Sequence, residues 1–170
     1  MVSFVPVKRE ELTELRGQAL ALWREQYDDQ LDGGDAAALR LFDMFVLPPG
    51  DDGLPDDQGE RWFWIMSGRK RVGYCAYAIL GWTLCASKIY IYDGCRNHGY
   101  GRAAAEFMIS EGRKCGCTRA EIHANSRNER AIAAYHRWGF RDICTRLHDY
   151  GGDLYFYLTE MEMDLTEGKQ

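Results

Sequence analysis

Three strand-prone runs, "RWFWIMSG", "RVGYCAYAIL" and "TLCASKIYIYD", follow one another between residues 61 and 93 with only glycine turns between them. Alternating, β-branched and aromatic runs of this length read as strands. The first two, joined by a short turn near Gly68 and Lys70, form a hairpin, and the third follows Gly81 and Trp82. The third then enters two glycines, Gly99 and Gly101, and the Ala-rich segment "GRAAAEFMISEGRK", a helix closed by Gly116. This strand, glycine turn and helix constrain the fold most, because a helix leaving a sheet must cross one of its faces.

The remaining elements are read around that core. "SFVPV" is a short first strand, and Leu12, Leu15, Ala19, Leu20 and Trp23 recur at helical spacing in a first helix. Asp35 caps a second helix through "AAALRLFDMFV", followed by the polar loop "LPPGDDGLPDDQGE". "TRAEIHAN" is a strand, and "NERAIAAYHRWGF" is a short helix capped by Asn128 and ended by Gly139. "RDICTRLHD" and "DLYFYLTEMEMDL" are the last strands. The order β-α-α-β-β-β-α-β-α-β-β predicts an α/β (α+β) fold: a mixed, mostly antiparallel sheet of about seven strands with helices on both faces. At 170 residues the expectation is one domain, 1–170.

Composition narrows the class. Apolar residues make up 46% and charged residues 28%, as in an ordinary globular protein, and the formal net charge of -5 argues against electrostatic binding to nucleic acid or an anionic membrane. The N-terminal "MVSFVPVKREELTEL" has no apolar leader, and no run is long enough to span a membrane, so a cytoplasmic location is expected. The six cysteines, several inside apolar strand runs, read as reduced thiols. Their spacing, with Cys115 and Cys117 as C-x-C and Cys95 and His98 as C-x-x-H, fits no zinc finger, and no structural metal is expected.

Glycines between a strand and a helix N-terminus often cradle phosphate. No Walker string is present here, which sets a nucleotide triphosphatase aside. Gly99, Gly101 and Ala104 spell the dinucleotide pattern G-x-G-x-x-A, but late in the chain, and the next strand ends in "HAN" rather than an acidic residue. The glycines by themselves are also compatible with a turn that only caps a helix.

"RNHGYGR" resembles the R/Q-x-x-G-x-G/A signature of the GNAT-type N-acetyltransferases, which move acetyl from acetyl-CoA to an amine. A second part of that family's pattern is matched in the expected order by Asn128, Ala131, Tyr135, Gly139 and Phe140. A third, a hydrophobic-Gly-aromatic step, is matched by Val72, Gly73 and Tyr74. The order of elements fits the same fold over essentially the whole chain. The turn agrees with such a ligand physically: backbone N–H groups from about Asn97 through Gly99, Tyr100 and Gly101 to Arg102 sit at a helix N-terminus, where partial positive charge favours a pyrophosphate. Arg96 and Arg102 add charge-assisted bonds or stand as solvated surface arginines.

By resemblance, the strand before the turn splays from its neighbour, and the backbone of Ile89 and Ile91 bonds the pantetheine amides as an added strand would. Asn128 caps its helix in any fold, and the resemblance implies that this part of the chain, with Ala131, also contacts the CoA arm. It makes Tyr135 the catalytic acid, since a phenol can protonate a leaving thiolate at neutral pH. The general base does not carry over. Cys85 stands where some members place a Glu, and Gly73 to Tyr92 contains no Asp or Glu; Asp93, Glu121, His123 or an ordered water remain as candidates. Asp93 replaces a common Pro and Asn97 a common Gly, the latter in a conformation that Asn tolerates better than most residues.

The resemblance implies a small-molecule amine or a peptide as acceptor. Asp28, Asp29, Asp32 and Asp35, with Asp51, Asp52, Asp56 and Asp57, would favour a cationic one or are simply solvated loops. Trp62, Trp64 and Tyr90 would wall an apolar acceptor pocket or pack in the core. A non-catalytic acyl-CoA-binding module and a transferase of another acyl group are the rival readings. A homodimer through the terminal strands is compatible with the pattern, though no sequence feature marks it.

Overall fold

The computed structural model describes residues 1–27, 39–40, 59–150 and 155–166. A seven-stranded sheet runs in the order β1-β2-β3-β4-β5-β7-β6. Its strands are β1 (Val2–Pro6), β2 (Arg61–Ser67), β3 (Lys70–Leu80), β4 (Thr83–Ile91), β5 (Arg119–Asn125), β6 (Arg141–Asp149) and β7 (Tyr155–Asp164). Only β4 and β5 pair in parallel; all other neighbours are antiparallel. The helices are α1 (Leu12–Tyr27), α2 (Tyr100–Lys114) and α3 (Glu129–Arg137). These elements agree with the sequence reading, within a residue or two at most ends. The expected second helix and the acidic loops around it lie outside the described residues, apart from helical residues 39–40.

Strand alternation builds a core on each face of the sheet. On one face Ala104, Met108 and Ile109 of α2 and Tyr135 of α3 pack on Cys75, Tyr77, Leu84, Ala86, Ala120 and Ile122. On the other, Leu15, Ala19 and Leu22 of α1 pack on Trp62, Trp64, Tyr74 and Ala76. The buried stripe of α1 therefore includes Leu22, while Leu20, expected on it, is half-buried. Trp62 and Trp64, at 7% and 1% exposure, are core residues and do not line the cavity between β4 and β5, whereas Tyr90 does. The Trp64 indole N–H donates to Glu11 Oε2 at 3.1 Å.

Gly73 sets how closely β3 lies on β4. A Cβ there would stand 2.0 Å from the Tyr90 carbonyl oxygen, so no other residue fits without separating the strands. Among the described residues, no helix is long and apolar enough to cross a membrane.

Candidate active site

The site begins with a register slip. Ala76 of β3 faces Lys88 of β4, but Tyr77 faces Ala86, leaving Ser87 as an extra residue. The Ser87 hydroxyl donates to the Ala76 carbonyl at 3.1 Å, closing this bulge. Bulges bend the strand that carries them. β4 pairs with β5 only over Thr83–Ala86 against Arg119–Ile122, and beyond that β5 continues against β7. Among the described residues no strand lies beside Ile89 and Ile91 on that side. A cavity of about 630 Å³ fills the wedge and reaches both faces of the sheet.

The turn after β4 closes one end. Gly99 has φ +79° and immediately precedes α2, and Asn97, in the position where glycine is common, has φ 65°. The first helical hydrogen bond runs from Ala103 N–H to Gly99 O at 3.0 Å, so the N–H groups of Tyr100, Gly101 and Arg102 have no acceptor within the helix. They face the cavity end where the helix dipole is positive. Arg96 organises this turn: its Nε donates to Ile91 O at 3.0 Å and its guanidinium pairs with Asp93 at 2.7 Å. Arg102, 70% exposed, pairs with Glu106 at 2.8 Å. The Tyr100 hydroxyl donates to Ser67 Oγ at 3.0 Å.

α3 supplies the wall opposite β4. Asn128 caps it, accepting from Ala131 N–H at 3.1 Å, and its own N–H donates to Asn125 O at 2.8 Å. Tyr135 is buried against Trp138 and Phe140, with ring centroids 5.4 and 6.3 Å away. Burial pushes its phenol up to about 12, so at neutral pH it holds its proton and can donate it. All the residues expected to hold the cofactor line this one cavity: Ile89, Ile91, Arg96, Asn97, Gly99, Tyr100, Gly101, Arg102, Asn128 and Ala131, together with Tyr135.

The α1 side of the wedge has a different chemistry. Cys85 and Glu121 are register partners across β4 and β5. Burial pushes the Cys85 thiol up to about 11, so it is neither a thiolate nor a base at neutral pH. Glu121 is held 3.1 Å from the Arg119 guanidinium. Glu60, Lys88, His123 and Tyr150 also line this part. One carboxylate oxygen of Glu60 is 3.8 Å from Lys88 Nζ, and the other is buried with no hydrogen-bond partner. Asp93 does not line the cavity; it pairs outward with Arg96, at 87% side-chain exposure, and drops out as a candidate base.

The sequence profile of the Acetyltransferase (GNAT) family matches residues 19–140. The chain belongs to this family. It is similar to a nourseothricin acetyltransferase, at 26% identity over 66% of this chain and 69% of that one, with a TM-score of 0.57. The spermidine/spermine N-acetyltransferase SpeG from Vibrio cholerae shares the fold at 12% identity, covering 98% of this chain and 96% of that one, with a TM-score of 0.66. So does the PaiA N-acetyltransferase from Thermoplasma acidophilum, in complex with coenzyme A, at 14% identity over 94% of this chain and 98% of that one, with a TM-score of 0.66. A search of curated proteins finds no match.

In this GNAT chain the sequence named His123 as a candidate base but gave no sign of Glu60, of Tyr150 or of the group that His123 forms with His148 and Glu160, whose side-chain N and O atoms all lie within 4.8 Å of one another. Glu60 precedes its strand in a polar loop and carries no motif. The other group joins β5, β6 and β7, and only the pairing of β7 between β5 and β6 brings its members together.

Proposed function

We propose that the protein transfers the acetyl group of acetyl-CoA directly to a primary amine of a small molecule or peptide. The observation that carries this reading is the wedge-shaped cavity between β4 and β5, with helix N–H groups that lack an intrahelical acceptor at one end and a protonated phenol in its wall. The residues fit the cosubstrate: the glycine turn would hold the pyrophosphate, with Arg96 and Arg102 beside it, and the edge at Ile89 and Ile91 would hold the pantetheine amides. Asn128 and Ala131 would flank that arm. Acetyl-CoA supplies the activated thioester, and Tyr135 donates a proton to the departing sulfur.

Two features of the α1 side support direct transfer to an amine. Cys85 is a protonated thiol, which disfavours an acetyl-cysteine intermediate there. Glu60 and Glu121 place carboxylates on the cavity wall, which favours an acceptor that arrives as an ammonium.

Calorimetry with acetyl-CoA tests the cofactor, and thiol release with a panel of amines tests the chemistry. Saturable binding with turnover of at least one amine is expected. Binding without any turnover would leave a non-catalytic module, and no binding at millimolar acetyl-CoA would remove the reading altogether.

A further inference from the structure

We propose that His123 takes the proton from the acceptor ammonium, and that Glu160 and His148 are positioning residues that surround its ring where it lines the cavity. The proposal rests on the transferase reading above and supplies the proton acceptor that reading lacks.

Geometry removes the alternatives first. Asp93 points away from the cavity, and Cys85 keeps its proton. Glu121 is paired with Arg119 at 3.1 Å, and Glu60 lies 3.8 Å from Lys88 Nζ, so each carboxylate already faces a cation. His123 has no such pairing. It lines the cavity from β5, on the strand face that also carries Glu121, and the residue keeps access to solvent.

Its surroundings are built from two further strands. Glu160 of β7 is the direct register partner of His123. Although only 5% exposed, Glu160 is satisfied: its Oε1 accepts from His148 Nε2 at 2.6 Å and from Arg146 Nε at 2.5 Å. Those bonds outweigh the upward pull of burial and keep it an anion. With Nε2 donating to this carboxylate, the orientation of His148 is fixed, and its ring sits 5.4 Å from that of His123. The three side chains resemble a metal-ligand set, but Arg146 already matches the carboxylate's charge. A proton on His123 would lie within 4.8 Å of the Glu160 carboxylate, whose attraction offsets part of the cost of desolvating the imidazolium.

Desolvation among these strands lowers the His123 pKa below the ordinary 6.5, with Glu160 and Glu121 raising it and His148 and Arg146 lowering it. The ring is therefore neutral at pH 7 and able to accept a proton. The acceptor R–NH3+ gives one proton to His123, which returns it to solvent. The freed lone pair then forms the C–N bond to the acetyl carbonyl carbon while the C–S bond breaks. Tyr135 protonates the departing sulfur and is reprotonated by the second proton that leaves nitrogen. The net products are the amide, the free CoA thiol and one proton.

The test compares wild type with His123→Gln and Glu160→Gln, using thiol release with spermidine, an aminoglycoside, free lysine and a short peptide with a free N-terminus. For the best acceptor, His123→Gln is expected to lower kcat/KM about 100-fold or more, with the acetyl-CoA Kd from calorimetry unchanged. The wild-type profile of kcat/KM should fall toward acid with an apparent pKa below 6.5, and His123→Gln should lose that limb. In the free protein, the NMR titration of the His123 ring should have a midpoint below 6.5. Glu160→Gln should move that midpoint lower still, because it removes the anion that favours the imidazolium. Unchanged kcat/KM and an unchanged acid limb in His123→Gln would overturn the assignment while leaving the transferase reading intact. A wild type that binds acetyl-CoA but acetylates none of the four amines would overturn both.

Discussion

Tyr135 is the residue on which the proposed chemistry depends most. The motif places it on a short helix, and burial between Trp138 and Phe140 keeps the phenol protonated well past neutral pH. Replacing it by Phe removes one hydroxyl from an otherwise unchanged ring. We expect a fall in kcat of about 100-fold with acetyl-CoA affinity retained, read by thiol release and calorimetry on the same preparation. Gly73 makes the opposite kind of claim, because its role is steric. With a Cβ 2.0 Å from a backbone oxygen, Gly73→Ala must push β4 away from β3. A loss of about 1–3 kcal/mol in urea unfolding is expected, together with weaker acetyl-CoA binding, since β4 is a wall of the cavity. The sequence showed that Gly73 belongs to a motif; the carbonyl that forbids a side chain there becomes visible only once β3 and β4 are paired.

At the scale of elements, the decisive features are ends and irregularities. α3 is nine residues long, and its cap holds an appreciable part of it in place. Asn128→Ala should cost about 1 kcal/mol of stability, whereas Asn128→Asp, which keeps an acceptor for the Ala131 N–H, should restore most of it. Thermal unfolding of the two variants side by side checks this, and equal losses would show that the cap bond contributes nothing. Strand and helix positions were legible because periodicity and glycine placement are local properties. The bulge at Ser87 was not: "CASKIYI" reads as an uninterrupted strand, and the slip exists only relative to the register with β3. Yet that slip lies where β4 parts from β5 and the cavity opens. The same holds for the buried face of α1, where tertiary contact selected Leu22 and left Leu20 half-buried.

For the whole molecule, the wedge links folding to ligand. A cosubstrate that occupies a cavity walled by β4, β5, α2 and α3 is bound by the native state and not by the unfolded chain. At a concentration one hundred times its Kd, acetyl-CoA should add about 2.7 kcal/mol of stability. For a chain of this size that is on the order of 5–10 °C in Tm, measurable by differential scanning fluorimetry, and no shift at such saturation would mean that the ligand does not select the folded state. The sequence by itself determined the succession of elements, the glycine turn with its helix N-terminus and the motif that carries Tyr135, because each depends on residues close together in the chain. Tertiary structure alone decided that β7 enters between β5 and β6 and that Trp62 and Trp64 belong to the α1 core. It also decided that His123, His148 and Glu160 meet beside the cavity. Their meeting depends on strand order and register, which are set by how the two faces of the sheet are buried and not by any pattern within a single strand.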